Sequence, residues 1–462
     1  MSLHMAVDVA RDSRESLTAQ IQSFIKREIA EGALHPGTRL PSSRRLADDL
    51  GVSRSVVVEA YGQLVAEGYL DAAQGSGTRV NGRLPGRPGP SALLDEGRVP
   101  GIRWDLRTGG RNTLAFPRRE WLTCYTRVLE SAGTTGHGYP PLAGELALRA
   151  ELAQYAGRLR GVRTDAGRLM VVSGFAQALA LLCAALPRLG VDVLAVEDPG
   201  HPGQRQFIRE AGIAPVPVPV DEEGINVGAL AATGVRAVLV TPAHQFPSGA
   251  VLSAARREAL VEWARATDSW VIEDDYDGGL WYDRGAAPIA LQRLAPDRVV
   301  YAGTASKTLA PGLRLGWLAA PERLLGELAR ARGRHDLGSD TYTQLAFAEL
   351  LRSGLLDRHL RRLREVAHSR RQALEEAVVR HLPGAEVLGP AAGLHASVRL
   401  PRHTDEGALV AGALLRSVLV RGGAAFTCLP RPDEPALVIG HAHLPRGGVA
   451  EAVQVLGEVS RW

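Results

Sequence analysis

Short apolar runs alternate with helical stretches over most of the chain, and this alternation restricts its fold more than any other feature. The runs are LMVVSG, VDVLAVEDP, PVPVPV, AVLVTP, SWVIEDDY, VVYAGT and RLGWLAA. Continuously apolar strands are typical of parallel sheets that helices cover on both faces. We therefore predict an α/β domain with a mostly parallel sheet. After about Pro321 the pattern turns helical, and a smaller α+β region follows from about Val387.

The first 80 residues follow a different pattern. Residues 14–35 predict an amphipathic helix. Ser42 or Ser43 caps a short helix to Leu50, and Ser53 caps another to about Glu67. Two strands around Gly75-Ser76-Gly77 predict a β-hairpin, so the segment is a helix-turn-helix with a wing.

We predict a DNA-reading domain over 1–81, a Gly/Pro-rich linker over 82–102 and a second domain over 103–462. The second domain divides into a large part to about 330 and a small part from 331.

Composition excludes several classes of protein. Cys124, Cys183 and Cys428 lack CxxC spacing, so neither a disulfide framework nor a zinc cluster is expected. The sequence has no membrane-length apolar run and no signal-peptide pattern, which predicts a cytoplasmic protein. The chain carries +4, but residues 1–81 hold nine Arg or Lys against ten Asp or Glu. DNA binding must therefore be argued from the motif, because bulk charge does not indicate it.

Lysine is almost absent from this chain. Of 54 basic residues, only Lys26 and Lys307 are lysines. Arginine serves at a surface or a phosphate, but its guanidinium stays protonated and cannot form a Schiff base. We interpret Lys26 as a surface residue that has survived by chance. Lys307 lies in an apolar, Gly-rich stretch and is a candidate for covalent chemistry.

The string PGTRLPSSRRLADDLGVSRSVVVEAYGQLVAEGYLDAAQGSGTRV carries the DNA argument. With its flanks it resembles the GntR-type winged helix-turn-helix over residues 14–80. The resemblance implies that the helix from Ser53 enters the major groove of double-stranded DNA. The candidate contacts are Ser53, Arg54 and Ser55 on that helix, Arg44 and Arg45 on the preceding helix, and Arg79 on the wing. Taken singly, each arginine could equally be part of a solvated face.

Pyridoxal phosphate makes four demands on a protein: an imine-forming lysine, an acid at the pyridine nitrogen, a donor to the phenolate oxygen and a phosphate cradle. The sequence offers candidates for each in YAGTASKTLAPGLRLGW, VIEDDYD and VVSGFAQALALL. The candidates are Lys307 for the Schiff base, Asp274 for the pyridine nitrogen, Tyr276 for the phenolate, Thr304, Ser306 and Arg314 for the phosphate, the amides of Ala176 and Gln177 for the phosphate, and His201 for stacking on the ring. Each motif alone could be an ordinary strand end or turn. Four in order are a specific signal.

Together, the DNA reader, the linker and these motifs resemble the MocR/GabR family of regulators over almost the whole chain. TPAHQFPSG, IEDDYD and GTASKTLAPGLRLGW carry the resemblance. It implies a fold-type-I aminotransferase-like domain that senses rather than catalyses. It also implies a head-to-tail homodimer that binds repeated half-sites on DNA.

Two positions depart from the family pattern. His201 stands where the family usually has tyrosine. Val438, in ALVIGHAHL, stands where many relatives have the arginine that binds the effector's carboxylate. A buried valine cannot pair with a carboxylate, so we infer that the effector is not an amino acid held in the usual way. The alternative is that Arg314, His395, His441 or another arginine supplies the charge.

The sequence thus predicts a transcription regulator that depends on pyridoxal phosphate. Its effector would be pyridoxal phosphate itself, which would point to control of vitamin B6 metabolism, or an amino compound that reacts with the cofactor. One alternative is a working aminotransferase with a fused DNA reader. Another is a DNA-binding module whose second domain serves only as a dimerisation scaffold.

Overall fold

A computed structural model describes residues 15–30, 34–73, 77–81, 101–109, 116–131, 133, 138–283, 287–428 and 434–460. The chain divides into two compact units, Met1–Val99 and Pro100–Trp462. Apart from residues 101 and 102, the predicted linker lies outside the described residues, as does the wing tip at 74–76. No helix in the described ranges is both long enough and apolar enough to cross a membrane.

The first unit is a three-helix module with a small hairpin. Its elements are α1 (Leu17–Ala30), α2 (Ser43–Leu50), α3 (Arg54–Ala66), β1 (Leu70–Ala73) and β2 (Gly77–Val80), the two strands being antiparallel. The first helix is shorter than the predicted 14–35. Gly51, at φ 63°, ends α2 in the left-handed conformation that glycine adopts without strain. Ile21, Leu46 and Leu64, one from each helix, are fully buried, so the apolar periodicity packs the three helices around one core.

The second unit contains two main sheets. Its strands are β3 (Trp104–Asp105), β4 (Leu169–Val172), β5 (Val193–Asp198), β6 (Ala214–Asp221), β7 (Gly224–Ile225), β8 (Ala237–Val240), β9 (Trp270–Asp275), β10 (Val299–Thr304), β11 (Gly316–Ala319), β12 (Glu386–Val387), β13 (His395–Arg399), β14 (Val418–Leu419), β15 (Arg421–Gly422) and β16 (Ala436–Gly440). Its helices are α4 (Arg118–Ser131), α5 (Leu146–Arg160), α6 (Phe175–Ala185), α7 (Pro202–Glu210), α8 (Val227–Ala232), α9 (Ala254–Ala266), α10 (Glu322–His335), α11 (Thr341–Arg352), α12 (Leu355–His381), α13 (Glu406–Leu415) and α14 (Arg446–Val459).

The large sheet has eight strands in the order β4-β11-β10-β9-β8-β5-β6-β7. Strands β6, β5, β8, β9 and β10 run parallel, whereas β11 and β7 pair antiparallel with their neighbours. All seven apolar runs form strands of this sheet, which confirms the predicted fold class. Met170 and Val172 face one core while Leu169 and Val171 face another, because successive side chains of a strand point to opposite faces. Burial on both faces explains why these runs are continuously apolar.

The small sheet has the order β12-β13-β16-β15 and shares one apolar core with α12, α13 and α14. Val438 lies in β16, directly across from Ser397 on β13 and from Arg421 on β15. Its side chain is buried. A short parallel pair, β3 with β14, was not foreseen from the sequence. Two-residue strands carry too little periodicity to be recognised.

Candidate functional site

A cavity of about 460 Å³ lies at the carboxyl ends of the central strands of the large sheet. Neighbouring parallel strands end at the same edge, so Glu197, Asp274 and Thr304, from β5, β9 and β10, all line it. This edge is where ligands bind in open α/β sheets. Eight of the nine cofactor candidates line the cavity: Ala176, His201, Asp274, Tyr276, Thr304, Ser306, Lys307 and Arg314.

Lys307 lies just beyond β10, next to acidic groups. Burial lowers the pKa of its ammonium, while the charges of Asp277 and Asp274 oppose that shift. A lowered pKa increases the fraction of free amine, which is the nucleophilic form. A Cβ added at Gly109 would lie 3.9 Å from the Lys307 Nζ, so this part of the cavity wall is close to the amine.

Asp274 is a buried carboxyl group on the cavity wall. Burial is the main cause that raises its pKa, to about 8, while a hydrogen bond from Gln204 Nε2, 3.0 Å from Asp274 Oδ2, acts in the opposite direction. A protonated pyridine nitrogen would give this carboxylate the cation that it lacks. The residues therefore fit a pyridinium ring. Gln204 was missed from the sequence because a glutamine inside a helix carries no local signal.

Thr304, Ser306 and Arg314 form one end of the cavity. The Ser306 amide donates to Thr304 Oγ1 at 3.1 Å, which holds the two hydroxyl groups side by side. Arg314 adopts φ 49° and donates to the carbonyl of Ser173. Gly174 adopts φ 84°, and a Cβ there would lie 3.0 Å from the Arg314 guanidinium, so a larger residue would strain the backbone and crowd this group. Two hydroxyls and a guanidinium suit a phosphate group.

Gln177 is a correction to the predicted phosphate site, because it does not line the cavity. Its amide donates to the Gly174 carbonyl at 3.1 Å, closing the first turn of α6. Its side-chain oxygen accepts from the Ser173 amide at 2.7 Å and from Arg332 at 2.9 Å. The prediction took this amide to be free at the start of the helix, but it is bonded within the first turn. Of the two predicted amide sites, only Ala176 remains at the cavity.

Tyr276 belongs to a hydrogen-bonded group that the sequence did not reveal. Its hydroxyl, predicted to donate to a phenolate, donates to the His244 carbonyl at 2.8 Å. Burial raises the pKa of Tyr276, so the hydroxyl stays protonated and able to donate. His244 Nδ1 lies 2.8 Å from Asp277 Oδ2, with both side chains buried. One ring nitrogen each of His244 and His395 and one carboxylate oxygen of Asp277 lie within 4.8 Å of one another. Isolated histidines in sequence gave no warning of this cluster.

His201 lies at the cavity as predicted for a stacking residue. It is the N-cap of α7, its Nδ1 accepting from the Gln204 amide at 3.3 Å. Its ring centroid is 5.4 Å from that of Phe246. Desolvation, with the charges of Lys307 and Arg421, lowers its pKa, so the imidazole is neutral at neutral pH. A neutral ring can stack on an aromatic cofactor without adding charge to it.

The first unit presents its predicted DNA contacts on the surface. Arg44, Arg45, Ser53, Arg54, Ser55 and Arg79 are all exposed. Ser53 is the N-cap of α3, but its hydroxyl makes no cap bond and lies 2.8 Å from the Ser55 hydroxyl. Ser53 therefore occupies the predicted N-cap position without a side-chain cap bond, whereas Ser42, one of the two predicted caps of α2, accepts from the Arg45 amide. Arg79 donates to the Gly37 carbonyl at 3.1 Å, which ties the wing to the loop before α2.

We expect Asp274→Asn to have opposite effects on the ligand-free fold and on cofactor binding. The raised pKa means that the folded chain holds this proton more tightly than the unfolded chain. The group therefore destabilises the fold increasingly as pH rises from 3.8 to about 8. An amide removes that penalty, so ligand-free D274N should gain thermal stability over wild type as pH rises. Its affinity for pyridoxal phosphate should fall about tenfold or more, because the pyridinium loses its anion.

Melting curves between about pH 5 and about pH 8, together with absorption titrations, would check both effects. Asp297→Asn is the matched control, because that side chain is 63% exposed and lies away from the cavity. A D274N protein with the wild-type pH profile would contradict the assignment of the buried proton to Asp274.

Comparisons with known proteins agree with these two units. Residues 17–80 match the family described as bacterial regulatory proteins, gntR family, and residues 112–456 match aminotransferase class I and II. The chain is 37% identical over 395 residues to the HTH-type pyridoxine biosynthesis transcriptional regulator PdxR of Corynebacterium glutamicum, covering 84% of each chain. It is 32% identical to the probable rhizopine catabolism regulatory protein MocR of Rhizobium meliloti, covering 80% of this chain and 79% of that one.

Solved structures give the same architecture for the second unit. The multiple substrate aminotransferase of Thermococcus profundus superposes with a TM-score of 0.72 at 26% identity, covering 79% of this chain and 92% of that one. LysN, an α-aminoadipate aminotransferase of Thermus thermophilus solved with a phosphopyridoxyl-leucine adduct, gives 0.69 at 27% identity, covering 78% and 92%.

The chain is therefore a DNA-binding transcription regulator that combines a winged helix with an aminotransferase-like domain. It belongs to the MocR-type regulators, within the wider family of class I and II aminotransferases.

Proposed function

We propose that this regulator binds pyridoxal phosphate at Lys307 and that the bound state sets its affinity for DNA. The observation that carries the proposal is the cavity itself, where one half-buried lysine, one buried carboxyl group and a hydroxyl–guanidinium cradle converge. When bound, the cofactor supplies an electrophilic carbon that can take up amines.

Each residue has one task in this proposal. Lys307 supplies the amine that anchors the cofactor, and the acidic groups near it accept or hold its proton. Asp274 pairs with the ring nitrogen, and Gln204 orients that carboxylate. Thr304, Ser306 and Arg314 hold the phosphate. His201 covers the ring, and Tyr276, which hydrogen-bonds to His244, is the donor to the phenolate oxygen.

We propose sensing rather than steady turnover. Efficient transamination needs a positioned substrate carboxylate. Val438, at the position where the family resemblance implies an arginine for that group, is buried and apolar. The relatives PdxR and MocR are named as regulators, which also supports this role. Regulation requires that the ligand have different affinity for the DNA-binding and DNA-free states.

Genes of vitamin B6 supply are the proposed target. The support is the 37% identity, over 84% of each chain, to a protein named as a regulator of pyridoxine biosynthesis. Pyridoxal phosphate would then be both the cofactor and the signal that the regulator senses. This agrees with a cavity that keeps the cofactor contacts and has Val438 in place of the arginine expected to bind a carboxylate.

The direct test is DNA affinity of the full chain with and without pyridoxal phosphate, on DNA upstream of vitamin B6 genes. We expect a change of about fivefold or more in Kd, the range of ordinary allosteric coupling. Equal affinity in both conditions would overturn the proposal that cofactor occupancy controls DNA binding.

We expect Arg54→Ala and Arg44→Ala each to weaken DNA binding. Both side chains are exposed, on the helix expected in the major groove and on the helix before it. An arginine that neutralises a phosphate should reduce the slope of log affinity against log salt by about 1, whereas one that reads a base should relax sequence preference. Salt titrations on target and scrambled DNA separate the two roles. Arg27→Ala, an exposed change on α1, is the control.

A homodimer is part of the proposal. Large apolar side chains are exposed on α4, at Leu122 and Leu129, and near the start of α5, at Tyr139, Leu142 and Leu146. Exposed apolar groups concentrated in one part of a chain mark contact surfaces. Light scattering of the full chain should give twice the monomer mass, and Leu122→Asp should reduce it. A monomeric mass for the wild-type protein would contradict the proposed homodimer.

The second candidate function is a working aminotransferase. It is favoured by the retention of Lys307, Asp274 and the phosphate cradle, and by the aminotransferase superpositions. Steady release of a new amino acid from an amino donor and a keto acid would establish it. We expect at most a single turnover per cofactor, because nothing in the described cavity positions a carboxylate.

A further inference from the structure

The end of the cavity beyond Lys307 is formed by β13 of the small sheet, through His395. The His395 ring centroid lies 4.9 Å from that of His244 and 5.0 Å from that of Phe246. Ser397, on the same face of β13, donates its hydroxyl to the Pro247 carbonyl at 2.8 Å. This face of the sheet therefore packs onto the loop from Thr241 to Gly249, and His395 forms part of the cavity wall.

One polar atom of this wall has no partner. His395 is 3% exposed, and its Nε2 makes no hydrogen bond within the described residues. A buried nitrogen in that state has lost its water without gaining a replacement. Since His395 lines a cavity, a bound molecule can supply the missing bond.

The His395 imidazole is neutral. Burial, the neighbouring His244 and His441, and the charge of Lys307 hold its pKa well below the ordinary value. A neutral ring nitrogen donates or accepts according to its tautomer. A hydroxyl or a carboxamide can match either tautomer, whereas a carboxylate only accepts and brings a charge that neutral imidazole cannot balance.

Three guanidinium groups lie around the cavity, and in the described residues none is hydrogen-bonded to His395. Arg205 donates to the carbonyls of Gly200 and Phe426 at 2.9 and 2.8 Å. Arg314 lies in the phosphate cradle. Arg421 is across the strand from Val438, but its side chain is exposed and is not part of the cavity wall. A carboxylate placed beside His395 would therefore be desolvated next to a neutral ring.

Resting on the proposed function of Lys307, we propose that this end of the cavity receives an amine whose neighbouring polar group is uncharged, a hydroxyl or a carboxamide, which hydrogen-bonds to His395. The ligand class is amino alcohols and amino amides, with amino acids disfavoured. Selection follows because a site with an unpaired polar atom rewards a group that pairs with it and rejects a group that adds unpaired charge.

The test uses four amines that differ at one substituent: alanine, alaninamide, alaninol and isopropylamine. Each is titrated into full-length protein loaded with pyridoxal phosphate, followed by the absorption spectrum and by the melting temperature. Affinities are compared at equal concentrations of unprotonated amine, because the four amines differ in basicity. We expect alaninol and alaninamide to bind about tenfold more tightly than alanine, and about fivefold more tightly than isopropylamine.

His395→Phe keeps an aromatic ring against Phe246 and removes both ring nitrogens. We expect isopropylamine to bind this variant as it binds wild type, and the preference for alaninol over isopropylamine to disappear. His368→Phe is the matched control, because that exposed ring packs on Tyr282 and does not line the cavity. If H395F does not fold, the wild-type order of the four affinities decides.

Alanine binding as tightly as alaninol overturns the inference, and so does a preference for alaninol that persists in H395F. Absence of any response to alaninol also overturns it. These outcomes differ from failure of the proposed function, which shows itself earlier, as an absorption spectrum that does not depend on Lys307 or as DNA binding that ignores the cofactor.

Discussion

Lys307→Ala is expected to abolish the visible absorption that pyridoxal phosphate acquires on binding the full chain, and with it any effect of the cofactor on DNA affinity. The amine at this position is the only lysine at the cavity, and arginine cannot replace it chemically. Noncovalent binding through Arg314 and Asp274 would leave weaker, freely reversible association. Absorption spectra, and borohydride reduction followed by peptide mapping, measure the effect directly.

The sequence provides a matched control, because it contains one other lysine. Lys26 lies on the surface of α1, where it pairs with Glu67. Lys26→Ala should retain the absorption, the reduced adduct at residue 307 and the response to cofactor. An adduct on Lys26, or a cofactor spectrum that survives in K307A, would contradict the assignment of the anchor.

The cavity residues that could be predicted from the sequence are those whose side-chain chemistry made them stand out from their surroundings. Lys307 was conspicuous because arginine fills nearly every other basic position. Asp274 and Thr304 were conspicuous because they lie at the carboxyl ends of largely apolar strands. Parallel strands end at one edge, so such residues must meet.

The residues that were missed become significant only through tertiary packing. His244 and Asp277 come from a loop and from the end of a strand, and they meet His395, which was predicted only as a possible source of charge, from a different sheet. Each alone resembles an ordinary polar residue, and no local spacing relates them. The case of Gln177 is the opposite. Its place after a glycine turn at the start of a helix predicted a phosphate contact, but its amide is bonded within the first turn of α6.

The second large effect is expected on stability, at the ion pair beneath the cavity floor. Arg160, at the end of α5, donates through Nε to Asp275 Oδ2 at 2.8 Å, and Tyr301 donates to the same oxygen at 2.6 Å. Both side chains of the ion pair are 2% exposed. Asp275 is adjacent to Asp274 on β9, and because side chains alternate along a strand it points away from the cavity. Its partner therefore stabilises the strand that carries the cofactor's acid.

Arg160→Ala should lower the free energy of unfolding by about 3–5 kcal/mol, because removing one member of a buried pair leaves the other charge buried and uncompensated. Arg158→Ala is the matched control on the same helix. Its bond to Asp357 is 2.9 Å long, but the arginine side chain is 61% exposed, so its loss should cost about 0–1 kcal/mol. Urea unfolding of both variants, followed by a signal from the aminotransferase-like unit, compares them. If R160A proved no less stable than R158A, the hydrogen bond from Tyr301 and local rearrangement would be enough to stabilise the buried carboxylate of Asp275. The arginine would then not be what holds β9 beneath the site.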